Sequence, residues 1–137
     1  MVSFETSRVN VSKLARYLLR SLERTASNEP NPEWVVNEST VINLEHVMPS
    51  AESADWPAIS AQDIEAYANR LGNLVLLQAD VNVRLDRSDF ATKRKAYAKS
   101  TFLLTSQVAE AKSWGVPQIE SRQKGLAKMA VQTWRIG

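Results

Sequence analysis

The chain carries a single histidine among 137 residues. His46 follows Glu45 directly in the stretch VINLEHVMPS, at the end of an apolar run and three residues before Pro49. An imidazole is the side chain suited to exchange a proton near neutral pH, and a carboxylate can ligate a hard cation. A general base next to a metal ligand is one reading of the pair; an incidental histidine at the end of a strand is the other. Two asparagines follow in order, Asn73 in LGNLVLL and Asn82, nine residues on, in ADVNVRL. Taken singly, Asn73 after Gly72 also suits a turn, and Asn82 also suits a helix surface.

The residues around these four bound the chemistry. With no cysteine, disulfides, thiolate zinc sites and a cysteine nucleophile are excluded. A hydrophobic content of 44% with 23% charged residues suits one soluble domain with a core. No apolar run reaches the ~18 residues of a membrane span and no signal peptide is evident, so the expectation is a cytoplasmic protein with no membrane partner. No GxxxxGK[ST] loop is present to bind nucleotide phosphates. The net charge of +2 conceals a segregation: from Thr25 to Asn69 there are eight acids and no Lys or Arg. Basic residues lie on both sides, including Lys13, Arg16, Arg20 and Arg24 before it and Arg84, Arg87, Lys93, Arg94 and Lys99 after it. Such a distribution suits a polyanionic partner for the basic part, although solvated helix faces produce it too.

The elements that must position the four residues are readable in outline. Val11, Leu14, Ala15, Leu18 and Leu22 recur at helical spacing and predict a helix over about 9–27, capped by Asn10 or Ser12 and ended before the two prolines of NEPNPE. WVV and STVINLEHVMP read as strands, the second closed by Pro49. SAQDIEAYANRLG predicts a short helix with Ser60 as N-cap and Gly72 as its stop. NLVLLQ is a second strand, and a helix broken near DRSD comes after it, with Ser88 or Asp89 capping its second part. TFLLTSQVAEAKSW predicts a helix stopping at Gly115. PQIESRQKGLAKMAVQTWRI predicts another, with Ile119, Leu126, Met129, Ala130 and Trp134 on one side. Trp34, Trp56, Trp114, Tyr17, Tyr67 and Tyr97 are expected to pack.

Read together, the acid–histidine pair with a proline after it, the GNL strand, the downstream Asn82 and then Phe90, Lys93, Arg94, Tyr97 and Ser100 resemble the HNH nuclease family. The chain looks most like the C-terminal HNH module of GmrSD-type modification-dependent restriction proteins, clearly over about residues 41–100 and more loosely in the flanks. The resemblance implies an α+β, mostly helical fold: a ββα-metal finger, a short two-stranded antiparallel hairpin plus helix, embedded in flanking α-helices at 9–28 and 102–136. It further implies a single domain, the C-terminal part of a longer protein whose other domains sense modification. The chain departs from the commoner pattern in carrying Glu45 where many members have Asp, and Asn82 where some have His.

By that resemblance the chain is a DNA endonuclease or nickase acting in restriction or antiviral defence. His46 is the expected base. Glu45 and the Asn82 amide are expected oxygen ligands for a divalent ion, Mg²⁺ or Mn²⁺, acting as a Lewis acid on the scissile phosphate. Adjacent strand residues face opposite ways, so Glu45 and His46 must lie where the strand ends or bends. Asn73 is expected to hold the loop that orients His46. Lys93 and Arg94, with Arg84, Arg87 and Lys99, are expected to contact DNA phosphates without reading sequence. The alternatives are a non-catalytic DNA-binding module of the same fold, or a helical domain that docks on a partner protein through the acidic 25–69 stretch.

Overall fold

The computed structural model describes residues 12–27, 42–78, 85 and 88–134. In chain order these form α1 (Ser12–Ser27), β1 (Ile42–His46), α2 (Ala61–Tyr67), a single 3₁₀ turn (Leu71–Asn73), β2 (Leu74–Gln78), α3 (Phe90–Tyr97), α4 (Leu103–Val108) and α5 (Val116–Thr133). The fold is α+β and mostly helical, and the described residues form one antiparallel strand pair with helices around it. The expected starts of α1 at 9–11 and the WVV strand lie outside the described residues, as do Trp34, Asn82, Arg84 and Arg87.

β1 and β2 pair antiparallel from Ile42 opposite Gln78 to His46 opposite Leu74. Side chains alternate across the two faces, and the core divides accordingly. Val75 and Leu77 join Val47, Met48, Trp56, Phe90, Tyr97 and Trp114 on the α3 side. Ile42, Leu74 and Leu76 join Ala15, Leu19, Leu22, Phe102 and Leu126 on the α1 and α5 side. β2 is therefore covered on both faces, which explains why LVLL is continuously apolar rather than alternating. In α1 the buried residues Ala15, Leu19 and Leu22 recur at intervals of four and three, the spacing of one helical face.

Local chemistry sets most element boundaries. Ser60 caps α2 by accepting from the Asp63 amide, and Asp89 caps α3 by accepting from the Thr92 amide, each satisfying an amide that the first turn leaves without a helical partner. Pro117 sits in the first turn of α5, where its missing N–H costs nothing. The N-cap of α4 is Phe102, which has no side-chain acceptor. The carboxylate of Glu23, 1% exposed on α1, fills that role, accepting from Leu103 N at 2.6 Å and Leu104 N at 2.9 Å.

Several expectations are corrected. α2 ends at Tyr67, so Gly72 is not its stop but part of the 3₁₀ turn. Gly72 packs against α5: a Cβ there would collide with the Ile119 carbonyl and press on the Gln123 backbone. The helix expected to run from Phe102 to Trp114 ends at Val108. Ala109, Glu110 and Ala111 then donate three residues back, a tightening that turns Trp114 inward to stack on Phe90 with ring centroids 5.7 Å apart. Trp134, expected on the buried side of α5, is 39% exposed, and Tyr17, expected to pack, is 50% exposed. No described helix is long and apolar enough to cross a membrane.

The packing of Gly72 yields a direct expectation. Gly72→Ala should lower stability by roughly 1–3 kcal/mol through overpacking, read as a shift in the urea midpoint. An unchanged midpoint would mean that α5 gives way freely at Ile119.

Candidate active site at the end of β1

His46 is the last residue of β1, half-buried, on the side of the sheet that it shares with Leu74. Its ring Nε2 lies 2.8 Å from the Asn69 side-chain oxygen Oδ1. Asn69 is exposed in the turn after α2. Glu45, one residue earlier, faces the opposite side, opposite Val75 and toward α3. The pair thus remains within a paired strand, one member in the core and the other at the surface.

The chain leaving His46 is held by two side chains from distant segments. Asn73, fully buried, donates from Nδ2 to the carbonyls of Met48 and Ala68, both at 2.9 Å. Its Oδ1 accepts from Met48 N at 2.8 Å and from Trp114 Nε1 at 3.0 Å. An asparagine amide offers two donors and two acceptor lone pairs, and all four are in use. The Asn73 backbone carbonyl adds a bond from Val47 N at 2.9 Å. From the other side, the Lys93 ammonium donates to the carbonyls of His46 at 2.7 Å and Val47 at 2.9 Å. Three consecutive peptide units after the β1 ladder are therefore pinned without belonging to the sheet.

Lys93 is 0% exposed and Glu45 is 4% exposed. Lys93 Nζ stands 3.3 Å from Glu45 Oε2, and the Tyr97 hydroxyl donates to the same oxygen at 2.6 Å. Lys93 and Tyr97 are four apart on α3 and so share one face, with Phe90 a further turn back against Trp56 and Trp114. Burial, and then the charge of Glu45, push the Tyr97 phenol well above its ordinary range, so it stays a neutral donor. Nearby, Arg122 of α5 donates to the carbonyls of Leu71, Gly72 and Leu74. Burial pulls its guanidinium down to about 10, which leaves it charged at neutral pH.

This network takes up two of the residues expected at the site. Lys93 is not presented to a phosphate: its charge is turned inward and shared by a carboxylate and two carbonyls. Glu45, expected to ligate a metal ion, faces α3, where its Oε2 meets the Lys93 ammonium at 3.3 Å and the Tyr97 hydroxyl at 2.6 Å. No three His, Asp, Glu or Cys side chains converge to hold a metal ion among the described residues. Arg94 and Lys99 are exposed, Arg94 with its Nε on the Ala109 carbonyl at 2.7 Å. The structure thus gathers His46, Asn73, Glu45 and Lys93 at one strand end and leaves Arg94 on the outside of α3 and Lys99 exposed just past its end.

Sequence reasoning misses Asn69 and reads Trp114 as packing; Tyr97 enters through the family pattern and as packing, not as a partner of Glu45. The four-residue step from Lys93 to Tyr97 is a usable signal for a shared target. Asn69 has none beyond its proximity to Asn73 in the chain.

If the Glu45–Lys93–Tyr97 group is a scaffold, it should hold the fold together without any ion. Glu45→Ala leaves the buried Lys93 ammonium without its counter-charge and the buried Tyr97 hydroxyl without the acceptor at Oε2, and should cost about 3–5 kcal/mol in buffer containing a chelator. A variant that melts with the wild type under those conditions would remove the scaffold role.

The chain matches the family described as GmrSD restriction endonucleases, C-terminal domain, over residues 2–129. No curated protein matches it. That family description supports a nuclease function in restriction, with DNA as the class of substrate. The match takes in every element from α1 to most of α5, and the chain belongs to the C-terminal domain family of the GmrSD restriction endonucleases.

Proposed function

We propose that the chain is an HNH-type nuclease module, the C-terminal part of a longer restriction protein, and that it hydrolyses DNA phosphodiester bonds with His46 as general base. The observation that carries this reading is the state of His46: a partly exposed imidazole on a backbone pinned by Asn73 and Lys93. A base held this way can take a proton from a water while the resulting hydroxide attacks phosphorus. The bond from phosphorus to the leaving oxygen breaks, that oxygen takes a proton from solvent, and the imidazolium gives its own proton up to solvent. Holding the base on rigid backbone lowers the entropic cost of reaching that geometry.

Asn73 acts in this scheme as a positioning residue rather than as a group that touches the substrate. Glu45, with Lys93 and Tyr97, steadies the strand from the core side. The divalent ion expected from the sequence, Mg²⁺ or Mn²⁺, keeps Glu45 and Asn82 as its expected ligands. Binding of DNA is assigned to the phosphate backbone, through Arg84, Arg87, Arg94 and Lys99, with little selection of sequence.

Nicking of supercoiled plasmid tests the reading. With Mg²⁺ or Mn²⁺ supplied, His46→Ala should slow cleavage by about 10²- to 10⁴-fold while retaining DNA. Equal rates for variant and wild type would leave a DNA-binding module of the same fold. Cleavage that persists in excess chelator would remove the ion from the scheme and leave the base untouched. A separate measurement addresses the surface charges. Arg94→Ala with Lys99→Ala should weaken binding to all sequences alike and reduce the slope of log affinity against log salt by up to about 1.8.

A further inference from the structure

We propose that Asn69 is a positioning residue that fixes which nitrogen of His46 carries the proton. This inference rests on the reading of His46 as the base. A side-chain amide oxygen accepts hydrogen bonds and cannot donate them. With Asn69 Oδ1 at 2.8 Å from His46 Nε2, Nε2 must be the protonated nitrogen of the neutral ring. The lone pair is then at Nδ1, and Nδ1 is the atom that takes the proton from water. The same bond stops rotation of the ring about its bond to Cβ, so Nδ1 keeps a constant direction.

The carrier of Asn69 is built for this purpose. Arg70 N donates to the Tyr67 carbonyl at 3.1 Å and Asn73 N to the Arg70 carbonyl at 2.9 Å, closing the turn on both sides of Asn69. The Arg70 guanidinium lies over the Tyr67 ring, 4.2 Å from its centroid. Most telling is the paired donation from Asn73 Nδ2. It joins Met48, two residues past His46, to Ala68, the residue before Asn69. One buried amide therefore sets the spacing between the imidazole and the oxygen that orients it. A purely structural role for Asn69 does not account for an exposed side chain aimed at the one histidine.

Because His46 is the only histidine in the chain, its ring can be observed without assignment. In protein labelled with ¹⁵N-histidine, in mildly alkaline buffer, long-range proton–nitrogen correlation of the wild type should give a protonated Nε2 and an unprotonated Nδ1. Asn69→Ala should move both nitrogen shifts toward the averaged values of an unconstrained imidazole. Asn69→Asp, which keeps an acceptor in place, should restore the wild-type pattern. On plasmid, Asn69→Ala should lower kcat between about 10- and 100-fold, the usual scale for losing a partner that orients a functional histidine, with KM unchanged. In a His46→Ala background the same change should have no further effect. A wild-type ring protonated at Nδ1, ring signals indifferent to Asn69→Ala, or a wild-type kcat in that variant would each overturn the proposal. If His46→Ala instead cleaves normally, it is the base assignment that falls, while the ring spectra still report on the Asn69 contact.

Discussion

The side chain of Asn73 is the constraint on which the rest of the site depends. A buried primary amide is tolerated only when its polar atoms are paired, and here the chain wraps so that four partners from three segments meet it. Met48 comes from the exit of β1, Ala68 from the end of α2, and Trp114 from the approach to α5. None of these contacts belongs to a helix or a ladder. They organise the irregular backbone that regular structure cannot hold, and that backbone is where the half-buried imidazole emerges.

Around this hub the two faces of the strand pair carry different tasks. The α3 face encloses the Glu45–Lys93–Tyr97 group, where a charge pair is taken out of water and compensated by further hydrogen bonds to His46 and Val47 carbonyls. Such a pair is weak evidence for added stability but fixes geometry when every member is satisfied. The opposite face is closed by α1 and α5, tied by Glu23 to α4 and by Gly72 to α5. Rigid support from both layers converges on three peptide units.

Much of the scaffold is legible in the residues. The helical spacing of Ala15, Leu19 and Leu22, the caps Ser60 and Asp89, and the apolar run of β2 are all local signals, and local signals survive folding. The family pattern, read from Glu45 and His46 through Asn73 to Tyr97, is legible as a combination. The remainder depends on pairing across the chain. A lysine is ordinarily exposed, and nothing near Lys93 announces the carboxylate of Glu45. Gly72 after a helix ordinarily reads as a stop, and only the approach of α5 gives it another use. The indole N–H of Trp114 finds its acceptor on Asn73, a partner 41 residues away that no local pattern announces.

The alternation of β1 has a consequence for how this protein guards its own assembly. Glu45 and His46 are neighbours with opposite destinations, one engaged by cationic and hydroxyl donors in the interior and the other turned to the solvent boundary. A strand shifted by a single position exchanges the two faces. The carboxylate would lose its ammonium, the imidazole would be driven among apolar side chains, and the fold would be less stable. Correct register is in this way inspected by the same two adjacent side chains, because a single slip upsets the surroundings of both.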